Sequence, residues 1–342
     1  MTEREPYRHD RDPPATWSPD VDRGRLEAWT ISARKIGSTD HPTHDDGVRK
    51  AAIAMPVPTT APVLVGTDGS ESALYAVRWA AQVAARRGVA LHIVHAIGVP
   101  VDIGPTLDYT PLEGKTYRAA AQAAVDDARV AATEAAAPIR QIEIEISVSD
   151  EAPIPLLRDL SARARLLVVG TRGLGALRRG LLGSASSSLA RHARCPVAVI
   201  PEDPPTEGPV VVGVDGSGYS AQAVEIAFEQ AADRNTELIA VHTWSEFYRY
   251  LPREALQQEA ESLLSESLAG YCRDYPDLRV RRVVREDRPA RAILDLAAET
   301  DAQLIVVGSR GRGGFIGLAL GAVSQATLHS YERPVIIARG AT

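Results

Sequence analysis

Residues 170 to 184 read GTRGLGALRRGLLGS and come directly after the apolar run Leu166-Leu167-Val168-Val169. With glycine at 170, 173, 175, 180 and 183, backbone N–H groups in this loop can approach an anion without a Cβ in the way. A helix starting near Ser184 would aim its positive end at that anion, and the serine hydroxyl adds a donor. The chemistry suggested is phosphate binding. No lysine follows the last glycine, so the loop is not the common G-x4-G-K-S/T cradle. The competing reading is a long turn in which Ser184 only caps a helix, serine being a preferred N-cap.

Asp68-Gly69-Ser70 and Asp215-Gly216-Ser217 each lie between an apolar run and a helical stretch. An aspartate there serves as a turn or cap residue or as a ligand contact, and the two roles can coexist. His95 and His242 end apolar runs with no nucleophile or metal-ligand spacing beside them, which favours a structural role. No catalytic residue and no metal site are assigned. Cys195 and Cys272 form no C-x-x-C pair and fit a reduced compartment better than a disulfide framework.

The elements that must position these residues emerge from an internal repeat. VLVGTDGSESA at 63–73 recurs as VVVGVDGSGYS at 210–220, and LHIVHA ending at Ala96 recurs as LIAVHT ending at Thr243, at an offset of 147 residues. LLVVGTRG at 166–173 recurs as LIVVGSRG at 304–311, and LLGSASSSLARHARCPVAVI as ALGAVSQATLHSYERPVIIA, at an offset of 138. The residues lost between follow the second strand, where length variation marks a surface loop. Arg178-Arg179 is matched by Ile316-Gly317 and reads as solvated loop rather than a phosphate clamp.

Each copy reads strand, helix, strand, helix, strand, helix, strand, glycine loop, helix, strand. In the first, strands are expected near 63–67, 89–95, 141–148, 165–169 and 196–200. Continuously apolar strands belong to a parallel sheet covered by helices on both faces, and such sheets bind ligands beyond the carboxyl ends of their strands. The chain of 342 residues suffices for two such domains, each with a packed core, at 62–201 and 209–339. PEDPPTEGP at 201–209 is the linker. Residues 1–61 hold seven prolines, many charges and little apolar periodicity, so a disordered extension is expected, with His41 and His44 solvated.

The spacing Gly170-x2-Gly173-x9-Gly183-Ser184 resembles the nucleotide signature of the universal stress protein family, G-x2-G-x9-G-S/T. The first-strand aspartate, the histidine at the end of the second strand and the RCPVAVI ending are similar to that family as well, and the resemblance covers 62–339 in two copies. It implies an α/β fold of two tandem Rossmann-like (adenine nucleotide alpha hydrolase-like) domains, each a five-stranded parallel sheet of order 3-2-1-4-5 flanked by helices. It also implies bound ATP, with or without Mg²⁺. The adenine would lie near Gly66, Thr67, Asp68 and Ala96, and the phosphates near Val169, Gly170, Arg172, Gly173, Gly183, Ser184, Ala185 and Ser186. The matching second-copy residues are Gly213, Val214, Asp215, Thr243, Val307, Gly308, Arg310, Gly311, Gly321, Ala322, Val323 and Ser324. Ala322 departs from the signature, which has Ser or Thr there, so the second site should be the weaker by about tenfold at most, one net hydrogen bond being worth about 0.5–1.5 kcal/mol.

The last strands, PVAVI and PVIIA, begin with proline, as edge strands can. The family pairs domains through this strand, which implies a dimer built into one chain, with a homodimer through the same strands as a further option.

The formal net charge of −6 gives no case for nucleic acid or an anionic membrane as partner. The start lacks the apolar core of a signal peptide and no apolar run approaches a membrane span, so a cytoplasmic protein is expected. The leading function is a nucleotide-dependent regulatory or stress-response protein with weak ATPase activity at most. The alternatives are a slow ATP hydrolase or adenylate-transferring enzyme, and an interaction scaffold without nucleotide.

Overall fold

The computed structural model describes residues 60–98, 111–171, 183–245, 252–312, 320–329 and 333–339, with the side chains of 111–115 excepted. Residues 1–59 of the expected disordered extension, Arg172, Gly173 and the Arg178-Arg179 pair lie outside the described residues, while Ala61 at its end is buried. In the first copy the elements are β1 (Val63–Thr67), α1 (Glu71–Arg87), β2 (Leu91–Ala96), α2 (Pro111–Ala136), β3 (Ile144–Ser149), α3 (Pro153–Leu160), β4 (Leu166–Gly170), α4 (Ser184–His192) and β5 (Val197–Ile200). The second copy repeats them as β6 (Val210–Gly213), α5 (Gly218–Arg234), β7 (Leu238–Trp244), α6 (Arg253–Asp274), β8 (Val280–Glu286), α7 (Pro289–Glu299), β9 (Leu304–Gly308), α8 (Ala322–Leu328) and β10 (Val335–Ala338).

Helix starts follow from side chains named in the sequence. Ser70 accepts a hydrogen bond from Ala73 N at the head of α1, and Ser217 accepts one from Ser220 N at the head of α5. Both helices end in a left-handed residue, Gly88 and Asn235, the two types that tolerate that conformation most readily. Here the expected second strand is trimmed: Val89 N still bonds back to Ala84 O, so the strand begins at Leu91 rather than 89.

Among the described residues the ten strands form one sheet of order β3-β2-β1-β4-β5-β10-β9-β6-β7-β8. Each half has the order 3-2-1-4-5 with parallel neighbours, and β5 meets β10 antiparallel through Val197↔Ile337, Ala198↔Ile336 and Val199↔Val335. Both last strands are therefore central, with a neighbour on each side. This corrects the option of a homodimer through them: each copy's last strand already fills the other's free edge.

The core is divided by sheet face rather than by copy. Val63, Val65, Trp79, Val210, Val212 and Phe228 belong to one apolar layer, under α1, α2, α5 and α6. Leu64, Leu167, Leu189, Val211, Ile305 and Ile337 belong to the other, under α3, α4, α7 and α8. The expectation of one core per copy is thus revised. Alternate side chains of a strand point to opposite faces, and a sheet continuous across both copies makes each layer continuous too.

Candidate functional site

In each copy the first strand lies between the second and fourth, so their carboxyl ends converge. In the first copy Gly66, Thr67 and Asp68 end or follow β1, Ala96 ends β2, Val169 and Gly170 end β4, and Gly183 to Ser186 open α4. In the second copy Gly213, Val214, Asp215, Thr243, Val307, Gly308, Arg310, Gly311, Gly321, Ala322, Val323 and Ser324 all line one cavity of 680 Å³.

Both copies build the strand end in the same way. Thr171 N donates to Ile200 O (3.0 Å) and Gly183 N to Thr171 O (2.8 Å), matched by Ser309 N to Ala338 O (2.9 Å) and Gly321 N to Ser309 O (2.8 Å). The Ser186 hydroxyl donates to Gly170 O and that of Ser324 to Gly308 O, each at 2.7 Å, so these protons tie the helix to the strand end. Gly183 is the N-cap of α4 and Ser184 its first helical residue, which removes the reading of Ser184 as a cap. Gly321 and Ala322 hold the same places in α8. A Cβ on Gly170 would stand 2.9 Å from Ser72 O, and one on Gly308 2.8 Å from Tyr219 O. The strand-end glycines are therefore required by the close approach of α1 and α5.

The aspartates are turn residues with further capacity. Ser70 N donates to Asp68 Oδ1 (3.0 Å), and Ser217 N to Asp215 Oδ1 (2.9 Å). Asp215 also receives the Ser217 hydroxyl on Oδ1 (2.6 Å) and Arg312 N on Oδ2 (2.9 Å), which fastens the glycine loop to the first-strand turn. Burial pushes the Asp215 carboxyl up, but donors from Ser217, Arg312 and Ser220 outweigh it and hold the group below its usual range. A Cβ on Gly311 would come within 2.5 Å of Asp215 Oδ2, so a larger residue here would displace the carboxylate that holds the loop.

His242 donates from Nδ1 to Val214 O at 2.6 Å, joining the ends of two adjacent chain segments. His95, its counterpart, has a buried Nδ1 without a hydrogen-bond partner among the described residues; burial lowers its pKa while the charge of Asp68 opposes the shift. Arg310 stacks 5.4 Å from the centroid of the Tyr219 ring and donates to Tyr219 Oη at 3.2 Å, which fixes a cation at the cavity wall. Among the described residues no cluster of three or more His, Cys, Asp or Glu is placed to hold a metal ion.

Sequence reasoning missed the other wall, formed by Trp244 with Leu256, Ala260 and Leu263 of α6. The signal was the helical spacing of 256, 260 and 263, an apolar stripe that did not reveal what it faces.

The universal stress protein family model matches twice, at residues 60–201 and 208–339. The chain belongs to this family. The universal stress protein Rv2005c of Mycobacterium tuberculosis is 44% identical over 286 residues, covering 81% of this chain and 96% of the relative. A crystal structure of a universal stress protein from Archaeoglobus fulgidus shares the fold with a TM-score of 0.60 at 20% identity, over 82% of this chain and 97% of that one. A universal stress protein crystallised in complex with cAMP is 32% identical over 43% of this chain and all of its own length, with a TM-score of 0.32.

Proposed function

We propose that this universal stress protein is a nucleotide-dependent regulator that binds ATP at the strand ends of both copies and acts in the cytoplasm. The observation that carries it is the convergence of the second copy's twelve expected site residues on one cavity of 680 Å³, built from glycine backbone, Arg310 and an apolar wall. That combination suits a ligand with an anionic end and a flat apolar end. The residues present fit ATP: backbone amides and arginine for phosphates, Asp68 and Asp215 beside the adenosine. ATP would supply binding free energy rather than a bond to be broken. Occupancy stabilises the bound form by RT ln(1 + [L]/Kd), about 2.7 kcal/mol at a hundredfold excess over Kd, so the protein can report nucleotide level without chemistry. The free thiols Cys195 and Cys272 accord with a reducing compartment, and burial pushes the Cys195 thiol up to about 12.

Mass spectrometry of the ligand released from freshly purified protein tests this reading, with ATP calorimetry beside it. An adenine nucleotide in the released fraction and two binding events are expected. A protein that releases none and gives no heat with ATP would refute the reading. Turnover that vanishes in Asp68→Ala while ATP still binds would replace the sensor by a hydrolase.

A further inference from the structure

Trp244 ends β7 directly after Thr243 and lines the second-copy cavity. At the corresponding place after β2 the first copy has Ile97. The indole is held in a frame that its packing alone would not require. Its Nε1 donates to Gln257 Oε1 at 2.8 Å, and the Gln257 amide in turn donates to Glu261 Oε1 at 2.7 Å. The Arg253 guanidinium stands 5.9 Å from the ring centroid and is itself paired with Glu286, the residue that faces Trp244 across the β7–β8 ladder. Arg253, Gln257 and Glu261 are four residues apart on α6 and so lie along one side of that helix.

The frame fixes the indole where it lines the cavity beside Leu256, Ala260 and Leu263, an apolar ring surface on that side. β6 separates β7 from β9 in the sheet, so this surface and the glycine loop after β9 flank the Val214-Asp215 turn from opposite sides. A ligand spanning them needs an anionic group at one end and a planar ring at the other. Every nucleobase has a π-face, so a pre-positioned indole recognises the presence of a base whatever its hydrogen-bonding edge.

We infer that Trp244 is the base-stacking residue of the second site and makes that site depend on a base, through an aromatic side chain where the first copy has Ile97. The inference rests on the nucleotide reading of the cavity. It also sets the two sites apart in kind: the first copy has the signature serine at 184 and an aliphatic residue at 97, the second an alanine at 322 and a tryptophan at 244.

The full-length protein labelled with 5-fluorotryptophan tests this by ¹⁹F NMR, the Trp244 signal being identified by its loss in Trp244→Phe. ATP is expected to move that resonance clearly more than inorganic tripolyphosphate does. In calorimetry Trp244→Ala should weaken ATP at one of two sites by roughly tenfold or more, with Trp244→Phe restoring most of it and tripolyphosphate binding unaffected. If ATP binds while the Trp244 resonance stays still, or if the alanine variant weakens ATP and tripolyphosphate alike, the stacking role is refuted and the nucleotide reading stands. If ATP gives no heat and moves no resonance, both fall together.

Discussion

Ser184 and Ala322 occupy the same place in the two copies, the first residue of a helix behind a glycine N-cap. Ala322 lines the cavity, so a hydroxyl added there would face the ligand without disturbing the cap. Ala322→Ser is therefore expected to tighten ATP at the second site by up to about tenfold, the equivalent of one net hydrogen bond. Calorimetry of the variant beside the natural protein reads it, and unchanged or weaker binding would show that the alanine is not what limits this site. The position was legible in the sequence because the glycine spacing, the strand before it and the repeat are all local. Trp244 and Leu256 were not, since their place at the site depends on how α6 returns across β7, a relation that no spacing encodes. The Arg310–Tyr219 pair was hidden for the same reason: its partners are far apart in sequence, and the first copy has Ser72 where the second has Tyr219.

At the scale of elements, the site depends on how closely α5 approaches the end of β9. A Cβ on Gly308 would stand 2.8 Å from Tyr219 O and 2.9 Å from its carbonyl carbon, rigid backbone that cannot rotate aside. Gly308→Ala should cost about 1–3 kcal/mol through overpacking, seen as a lower urea midpoint. Gly218→Ala is the matched control, because Gly218 begins the same helix and nothing lies within 4 Å of its missing Cβ. It should be neutral or slightly stabilising, as alanine is the better helix former. Equal losses in the two variants would mean that the approach of Tyr219 to the end of β9 does not set the cost. The element order was readable since five apolar runs alternate with helical stretches in each copy. Strand starts were less so: Val89 and Ala90 are apolar but follow the C-cap of α1, where the helix's last carbonyls claim the Val89 amide.

Over the whole molecule, the antiparallel meeting of β5 and β10 makes one sheet of two copies, and charged side chains on α1 and α5 cross the junction. Arg87 forms an ion pair with Glu229 at 2.9 Å and another with Asp233, while Arg165 reaches Glu229 at 3.2 Å. The proline-led last strands hinted at an edge available for pairing, but these ion pairs could not be read, because no residue's own sequence neighbourhood names its partner across the pseudo-twofold. Side chains of Arg87 and Asp233 are only 16% and 20% exposed. Burial therefore raises the Asp233 carboxyl, and the charge of Arg87 works against that rise. Arg87→Met removes the opposing charge while keeping an apolar stem, leaving Asp233 poorly compensated. A loss of about 2 kcal/mol is expected at neutral pH, between the small value of an exposed pair and the larger cost of orphaning a buried charge. The sign of the pH dependence follows from linkage. A carboxyl whose folded pKa lies above the unfolded one, about 3.9, binds more protons in the native state, so lowering the pH through the folded value favours folding. Without Arg87 that value rises further. The stability deficit of Arg87→Met should thus shrink as the pH falls from neutrality through the raised pKa of Asp233, in urea unfolding at a series of pH values. A deficit that stays constant or widens on acidification would mean that Arg87 acts through packing across the junction and not through its charge.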